Sequence, residues 1–333
     1  MRHHLRGIII ALLVLGALSS ATAAFAAPAG LTAGVEEIPP VNAGLLATMF
    51  GVQLPLMIGL PILLGWFIRR RYGIGWGVFA LGALTFVLSQ VVHLPLNAAL
   101  GLLGGGRGVA LWPLVPMALV AGLSAGICEE GARLLVLLFL ARHVRGWRAG
   151  LQYGAGHGGI EAIIFGLLAA VNVVSLLATR SMGSLTQSLP PDALEQMRAA
   201  QAAFWSTSPL LPLVGGLERV FAITLQIAMA VLVVRAVTHR QPIFFLAAIA
   251  LHTLIDFWAV VGVSKFGIFP TEALLAVMAL GGAWIIWRLR EEPQAPSPVS
   301  EDEVRDILST EQLQPQSLSS EELARRAEQS RYE

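Results

Sequence analysis

Apolar residues form long uninterrupted stretches along most of this chain instead of alternating with polar ones. A helix needs about 20 such residues to cross the hydrocarbon core of a bilayer. The stretches that meet this length cover 43–68, 74–100, 112–141, 149–178, 208–234, 242–263 and 268–288. The pattern therefore predicts an all-α fold, a polytopic bundle of about seven transmembrane helices. Segment 191–204, in the longest connection, has helical spacing and suits either a lid or a spacer.

The two ends of the chain differ from this apolar middle. Residues 1–26 have the pattern of a signal peptide, with two arginines, then an apolar core, then small residues before the cleavage site. An uncleaved signal anchor is the alternative. From Glu291 onward the chain is acidic and polar, which predicts a disordered cytoplasmic tail. The expected regions are the signal peptide 1–26, an exterior segment 27–42, a transmembrane domain 43–290 and the tail 291–333.

Composition and charge agree with a chain whose main solvent is lipid. Hydrophobic residues make up 56% of the sequence and charged residues only 13%. Arginines cluster in every second connection, so the positive-inside rule predicts an exterior N-terminus and a cytoplasmic C-terminus in the plasma membrane of a prokaryote. A net charge of +1 gives no indication of nucleic-acid binding. The single cysteine, Cys128, excludes an intramolecular disulfide, and we interpret it as a packing residue.

Acidic residues inside the predicted spans are the strongest indication of chemistry. A central charge costs about 2.5–3.5 kcal/mol on insertion scales, so each one needs a partner or a function. The acids within the spans are Glu129, Glu130, Glu161, Glu218, Asp256 and Glu272. Counting helix rise from the nearest arginine cluster places all but Glu272, together with His157 and His252, near mid-bilayer. The sequence therefore predicts one polar layer that several helices share.

Helical spacing suggests which of these residues act together. Glu129 and Arg133 are four residues apart on one face, so we expect them to pair. The same spacing recurs between His157 and Glu161 and in His252-x-x-x-Asp256, an arrangement that suits metal binding or water activation. For any single pair, simple charge neutralisation is an equally good interpretation.

Five segments in fixed order resemble the YhfC family of intramembrane metalloproteases. That family is distantly similar to the CAAX-protease and bacteriocin-processing group and to the PrsW proteases. The likeness extends over roughly 74–288, and the ordered set is more specific than any one motif. The segments are Ser89-Gln90-x-x-His93-x-Pro95-x-Asn97, Glu129-Glu130-x-x-Arg133, Gly154-x-Gly156-His157-Gly158-Gly159-x-Glu161, Glu218-Arg219 and His252-x-x-x-Asp256.

The resemblance implies a peptidase that activates water for amide hydrolysis within the membrane. It implies Glu129, Glu130, His157 and His252 as catalytic residues, with His157 and His252 as zinc ligands. The supporting residues would be Arg133, Glu161, Glu218, Arg219 and Asp256. One departure matters, because the family pattern leads us to expect a histidine near position 226, where this chain has Gln226. A zinc site of two histidines and a carboxylate and a metal-free glutamate-type hydrolase both remain open.

Three classes of function compete on this evidence. The first is intramembrane proteolysis of a membrane-embedded or membrane-associated peptide. The second is a proton-coupled or ion-coupled transporter, since buried acids and histidines also form proton relays, although no inverted repeat is evident. The third is a non-catalytic membrane scaffold or inactive relative, an alternative that Gln226 supports.

Overall fold

The computed structural model describes residues 39–103, 107–181 and 190–291, and within them the chain is helical with no strand. We number the helices α1 to α8 in chain order. Their bounds are Ala43–Tyr72, Trp76–Leu100, Leu114–Leu135, Gly146–Ser181, Pro191–Trp205, Leu210–His239, Pro242–Phe266 and Ile268–Arg288. Helix α1 contains two π-helical turns, Met49–Gln53 and Pro55–Gly59, and α3 continues as a π-helix over Val136–Leu140. The all-α prediction is confirmed.

Several helices end at residues whose backbone favours a stop. Gly101 follows α2 with a φ of +79°, and Gly267 separates α7 from α8 with a φ of +81°, a left-handed region where glycine carries no Cβ penalty. Pro242 begins α7 at a position where its missing N–H leaves no backbone bond unmade. The long apolar runs are thus cut into antiparallel neighbours by short turns.

Helix α6 lies at the centre of the bundle. It packs against α3, α4, α7 and α8, and it is the most buried of the long apolar helices in the described chain. Helix α4 packs on α2 and α1, and α3 packs on α7 and α2. The functional side chains described below come mainly from α2, α3, α4, α6 and α7.

Six helices of the described chain are long and apolar enough to cross a membrane, namely α1, α2, α4, α6, α7 and α8. The remaining predicted span, 112–141, is helical from Leu114 to Leu140 but does not belong to that set of six. It carries the glutamate pair and Arg133. The expectation of about seven spans is therefore met only approximately.

Three predicted regions cannot be compared with the structure in full. The signal peptide 1–26, most of the exterior segment 27–42, and all of the tail beyond Glu291 lie outside the described residues. The helix expected at 191–204 is confirmed as α5, Pro191–Trp205. Its Gln201 side chain donates to the carbonyl oxygen of Leu176 at 2.6 Å, which fastens α5 to the end of α4.

Candidate functional site

Glu129 on α3 lies at the meeting point of three other helices. Its Oε2 atom is 3.1 Å from Nε2 of His157 on α4 and 4.0 Å from Nε2 of His252 on α7. Its Oε1 atom accepts a hydrogen bond from Nε2 of Gln90 on α2 at 3.2 Å. The Glu129 side chain is 8% exposed and that of His252 5%, whereas His157 is fully buried.

Glu130, the next residue, faces a different set of partners. Its Oε1 atom accepts from Nδ1 of His252 at 2.8 Å and from the guanidinium of Arg133. The sequence-based pairing of Glu129 with Arg133 is therefore wrong. Glu129 is held by histidines from α4 and α7 and by Gln90, while Glu130 at three-residue spacing takes the arginine. Both members of the Glu130–Arg133 pair are fully buried.

Gln226 on α6 connects this group with a second one. Its Oε1 atom accepts a hydrogen bond from Arg133, and its Nε2 atom donates to Oε2 of Glu161 at 2.9 Å. Glu161 in turn accepts from Arg219 at 3.2 Å, and Arg219 also pairs with Glu218. The residue at the position where a histidine was expected thus links two ion-pair groups through both ends of its amide.

The two remaining acids of the predicted spans lie at the margins of this cluster. Oδ2 of Asp256 is 3.8 Å from Nε2 of His252, and 38% of the Asp256 side chain is exposed. Glu272 on α8 is half-buried, and its Oε2 atom is buried without a hydrogen-bond partner among the described residues. The structure therefore brings all nine predicted site residues into contacts of 4.0 Å or less, and Gln226 joins the Glu161 group to the others.

Close helix packing explains how these side chains meet. A Cβ atom on Gly156 would overlap with the carbonyl carbon and oxygen of Phe79, so the α4 and α2 backbones are in direct contact beside His157. On α3, a Cβ on Gly122 would lie 2.6 Å from the carbonyl oxygen of Thr253, which brings α3 equally close to α7. The glycines of the motif around His157 therefore allow close helix packing.

Two polar groups on α2 extend the site beyond the predicted residues. Gln90 contacts Glu129 directly. The sequence motif includes Gln90, but it was not among the predicted site residues. One helical turn further, Nε2 of His93 is 2.9 Å from Nδ2 of Asn97, whose Oδ1 atom accepts from Ser124 on α3 at 2.9 Å. The spacing of 90, 93 and 97 on an otherwise apolar span was a signal for a shared helical face.

The implied zinc ion can be tested against these donor atoms. Adjacent ligand atoms around a tetrahedral zinc lie about 3.3 Å apart, given bonds of about 2.0–2.1 Å. The separation between Glu129 and His157 agrees with this value, but the one between Glu129 and His252 is too long. No group of three or more histidine, cysteine or acidic residues in the described chain is arranged to hold a metal. Gln226 supplies no imidazole, and as arranged the site does not fit a zinc centre.

The fold and this cluster together define a class of protein. It is a polytopic membrane protein in which a glutamate pair on one helix faces two histidines and an arginine inside the bundle. Such a cluster provides a carboxylate to accept a proton and imidazoles to donate one, both shielded from bulk water.

Comparison with known proteins identifies the family. The model of the YhfC intramembrane metalloprotease family matches residues 56–279. An uncharacterized membrane protein YhfC of Bacillus subtilis strain 168 is 32% identical over 250 residues, which cover 72% of this chain and 94% of the relative. No solved structure matches. The chain belongs to the YhfC intramembrane metalloprotease family, as its motifs suggested.

Proposed function

We propose that this protein is an intramembrane peptidase that hydrolyses peptide bonds of a membrane-associated substrate. The observation that supports this most is the position of Glu129, whose carboxylate lies beside the Nε2 atoms of two histidines from different helices. The family's description as metalloproteases agrees with it. The chemistry below uses only the chain's own side chains.

Glu129 acts as the general base. Its carboxylate takes a proton from a water molecule while the water oxygen bonds to the carbonyl carbon of the substrate. It then gives that proton to the departing nitrogen as the carbon–nitrogen bond breaks, which leaves a carboxylic acid and an amine. General acid–base catalysis of this kind contributes about 10²–10⁴-fold to a rate.

His252 is the donor for the negative charge that develops on the carbonyl oxygen. Glu130 is an ionised acceptor, since Arg133 pairs with it, so Nδ1 of His252 carries a proton and donates to it. The ring is thereby oriented with Nε2 towards Glu129 and Asp256. Three carboxylates surround the ring and favour its cationic form, in which Nε2 also carries a proton and can stabilise an oxyanion. Glu130 and Arg133 are positioning residues in this scheme.

His157 orients the base. Its Nε2 atom donates to Glu129 at 3.1 Å, and its ring meets Phe86 edge-on at a centroid distance of 5.3 Å. Both contacts restrict rotation of the imidazole, so the Glu129 carboxylate is held at one rotamer. Glu161, Glu218 and Arg219 support the layer from α4 and α6 through Gln226.

The test is cleavage of a panel of membrane-spanning peptides by reconstituted protein, with product masses read by mass spectrometry. We expect Glu129→Gln and His157→Ala to abolish cleavage, because an amide takes no proton from water and alanine cannot orient the base. Glu130→Gln should also abolish it, because a neutral amide no longer stabilises the positive charge of His252. Cys128→Ser is the matched control on the same helix, and it should cleave like the parent.

Bound metal is measured on the same purified samples. Full cleavage by both Glu129→Gln and His157→Ala, with normal thermal unfolding, contradicts the proposed site. One equivalent of zinc in the parent that is lost in His157→Ala would show that the metal-free arrangement is not the active one.

A transporter is the second candidate, and one observation favours it. The hydrogen-bonded chain from His252 through Glu130, Arg133 and Gln226 to Glu161 resembles a proton relay. Arginine keeps its proton in proteins, so Arg133 interrupts such a relay. Proton flux into proteoliposomes that disappears in Glu161→Gln, without any cleavage by the parent, would favour the transporter.

We also propose the finer location. The N-terminus faces the exterior, and the C-terminus faces the cytoplasm of a prokaryotic plasma membrane, as the alternation of arginine clusters indicates. If the purified protein binds a membrane partner but cleaves no peptide, the non-catalytic scaffold is the better interpretation.

A further inference from the structure

The termini of three helices lie beside one another at the arginine-rich end of the bundle. Two aromatic rings, which we call the aromatic platform, lie between them. Tyr72 at the end of α1 meets Trp147 at the start of α4 edge-on, with ring centroids 5.5 Å apart. The indole N–H of Trp147 donates to the carbonyl oxygen of Ile286 on α8 at 2.6 Å. These contacts fix two aromatic rings between the ends of α1, α4 and α8.

Arginines from all three helix ends lie over these rings. The Cζ atom of Arg71 is 5.2 Å and that of Arg148 is 5.6 Å from the centroid of Tyr72. The Cζ atom of Arg290 is 5.9 Å from the centroid of Trp147. We call these five residues the arginine–aromatic corner.

In a cation–π contact, the face of an aromatic ring attracts a guanidinium group that lies over it. The N–H donors of arginine lie in the guanidinium plane, so a stacked arginine can still direct them at an anion. No described carboxylate forms an ion pair with Arg71 or Arg148, and neither side chain has a described hydrogen bond. The corner therefore presents positive charge that the described part of the protein does not neutralise.

Other arginines at this end differ in a way that supplies controls. Arg142 donates from Nε to the carbonyl oxygen of Leu138 at 3.1 Å, and Arg145 donates to three backbone carbonyls. These side chains satisfy helix C-terminal carbonyls and lie over no ring. A membrane surface attracts these arginines as strongly as it attracts those of the corner. They differ from the corner arginines in lacking an aromatic ring beneath the guanidinium group.

We propose that the arginine–aromatic corner binds the phosphate headgroup of an anionic phospholipid. Its position favours a lipid over a free phosphate ion. Trp66 and Phe67, one turn earlier on α1, are 50% and 55% exposed on a span that is apolar enough to face hydrocarbon. Arg70 lies over Trp66 at 5.7 Å. If the acyl chains of a lipid pack along the Trp66 and Phe67 side of α1, its phosphate group lies at the depth of the corner. Basic groups between helix ends commonly bind lipid headgroups at this depth.

The experiment measures retained lipid on the full chain purified in detergent. Phosphatidylglycerol, phosphatidylcholine and inorganic phosphate are each titrated and followed by native mass spectrometry. We expect one phosphatidylglycerol to bind in preference to phosphatidylcholine. A direct hydrogen bond to a charged phosphate contributes about ten-fold or more in binding, so Arg71→Gln with Arg148→Gln should weaken phosphatidylglycerol by at least about 25-fold.

Two controls distinguish the effect of the aromatic platform from the effect of positive charge alone. Arg142→Gln with Arg145→Gln removes the same charge at the same end and should weaken binding by no more than about two-fold. Tyr72→Leu removes no charge but does remove the ring under Arg71 and Arg148, so it should also weaken binding. Thermal unfolding of each variant shows whether it is folded.

Several results would overturn the proposal. Equal losses in the two double variants would mean that only the overall positive field matters. Displacement of the lipid by millimolar inorganic phosphate would identify a free-anion site. Lipid binding that occurs only after deletion of 292–333 would mean that the full chain does not bind lipid at the corner. An unchanged affinity in folded Tyr72→Leu would remove the role of the aromatic platform.

Discussion

Replacing Arg133 by leucine tests the electrostatics of the site most sharply. The guanidinium contacts Glu130 and Gln226, and the side chains of Arg133 and Glu130 are both fully buried. Leucine removes the positive charge but keeps an apolar side chain of moderate size in the helix. Glu130 is then left as a buried carboxylate whose only described partner is His252.

The expected cost follows from burial. Removing one partner of a fully buried ion pair costs about 3–5 kcal/mol, because the other charge stays in low dielectric without compensation. Neutralising the orphaned charge as well should recover about 2 kcal/mol or more of that loss. Glu130→Gln should therefore rescue Arg133→Leu. Glu129→Gln should not, because Glu129 does not pair with this arginine in the structure.

The assay is denaturant unfolding of the single and double variants in the same mixed micelles, analysed as a double-mutant cycle. A coupling energy should appear between Arg133 and Glu130 and be near zero between Arg133 and Glu129. Exposed ion pairs couple by no more than about 1 kcal/mol. A loss below about 1 kcal/mol for Arg133→Leu, or rescue by Glu129→Gln, would refute the pairing.

Two further outcomes follow from the helix packing and the proposed topology. Gly156→Ala should sharply reduce folded yield, because its Cβ would overlap with the backbone of Phe79, whereas Gly131→Ala, with no atom within 4 Å of its Cβ, should not; fluorescence-detected size exclusion compares the two, and equal yields would contradict the close contact. Reporter fusions after Ser208 and Arg240 should report exterior and cytoplasmic locations respectively, and a cytoplasmic signal at Ser208 would reverse the topology.

Much of the helix arrangement could be predicted from the sequence for a simple reason. Spanning a bilayer demands apolar runs of a set length, so the runs themselves mark the helices. Depth along each helix is also additive, at about 1.5 Å per residue. Counting from arginine clusters therefore placed His157, Glu161 and His252 in one layer before any packing was known.

The pairings within that layer depend on information that one helix does not carry. Spacing along α3 favours Glu129 with Arg133, but His157 and His252 arrive from other helices and occupy Glu129 instead. Gln226 looked like the loss of a ligand, and its contacts to Arg133 and Glu161 depend on how α6 packs between α3 and α4. Rotation of each helix about its axis decides these contacts.

The arginine–aromatic corner shows the same limit. Positive clusters at alternate connections are visible in the sequence, but they predict only which end faces the cytoplasm. The stacking of Arg71 and Arg148 on one ring requires the ends of α1 and α4 to be neighbours. The two helix ends are neighbours because of tertiary packing, which the hydropathy pattern of the sequence does not predict.

The most direct test of the peptidase proposal is hydrolysis in water labelled with the heavy oxygen isotope. Reconstituted protein is incubated with a membrane-spanning peptide, and the new C-terminus is weighed by mass spectrometry. We predict that one labelled oxygen enters the new carboxyl group, and that Glu129→Gln slows this product at least about 100-fold while unfolding like the parent. Unlabelled product, or labelled product formed at the parental rate by Glu129→Gln, would contradict the assignment of Glu129 as the base that activates water.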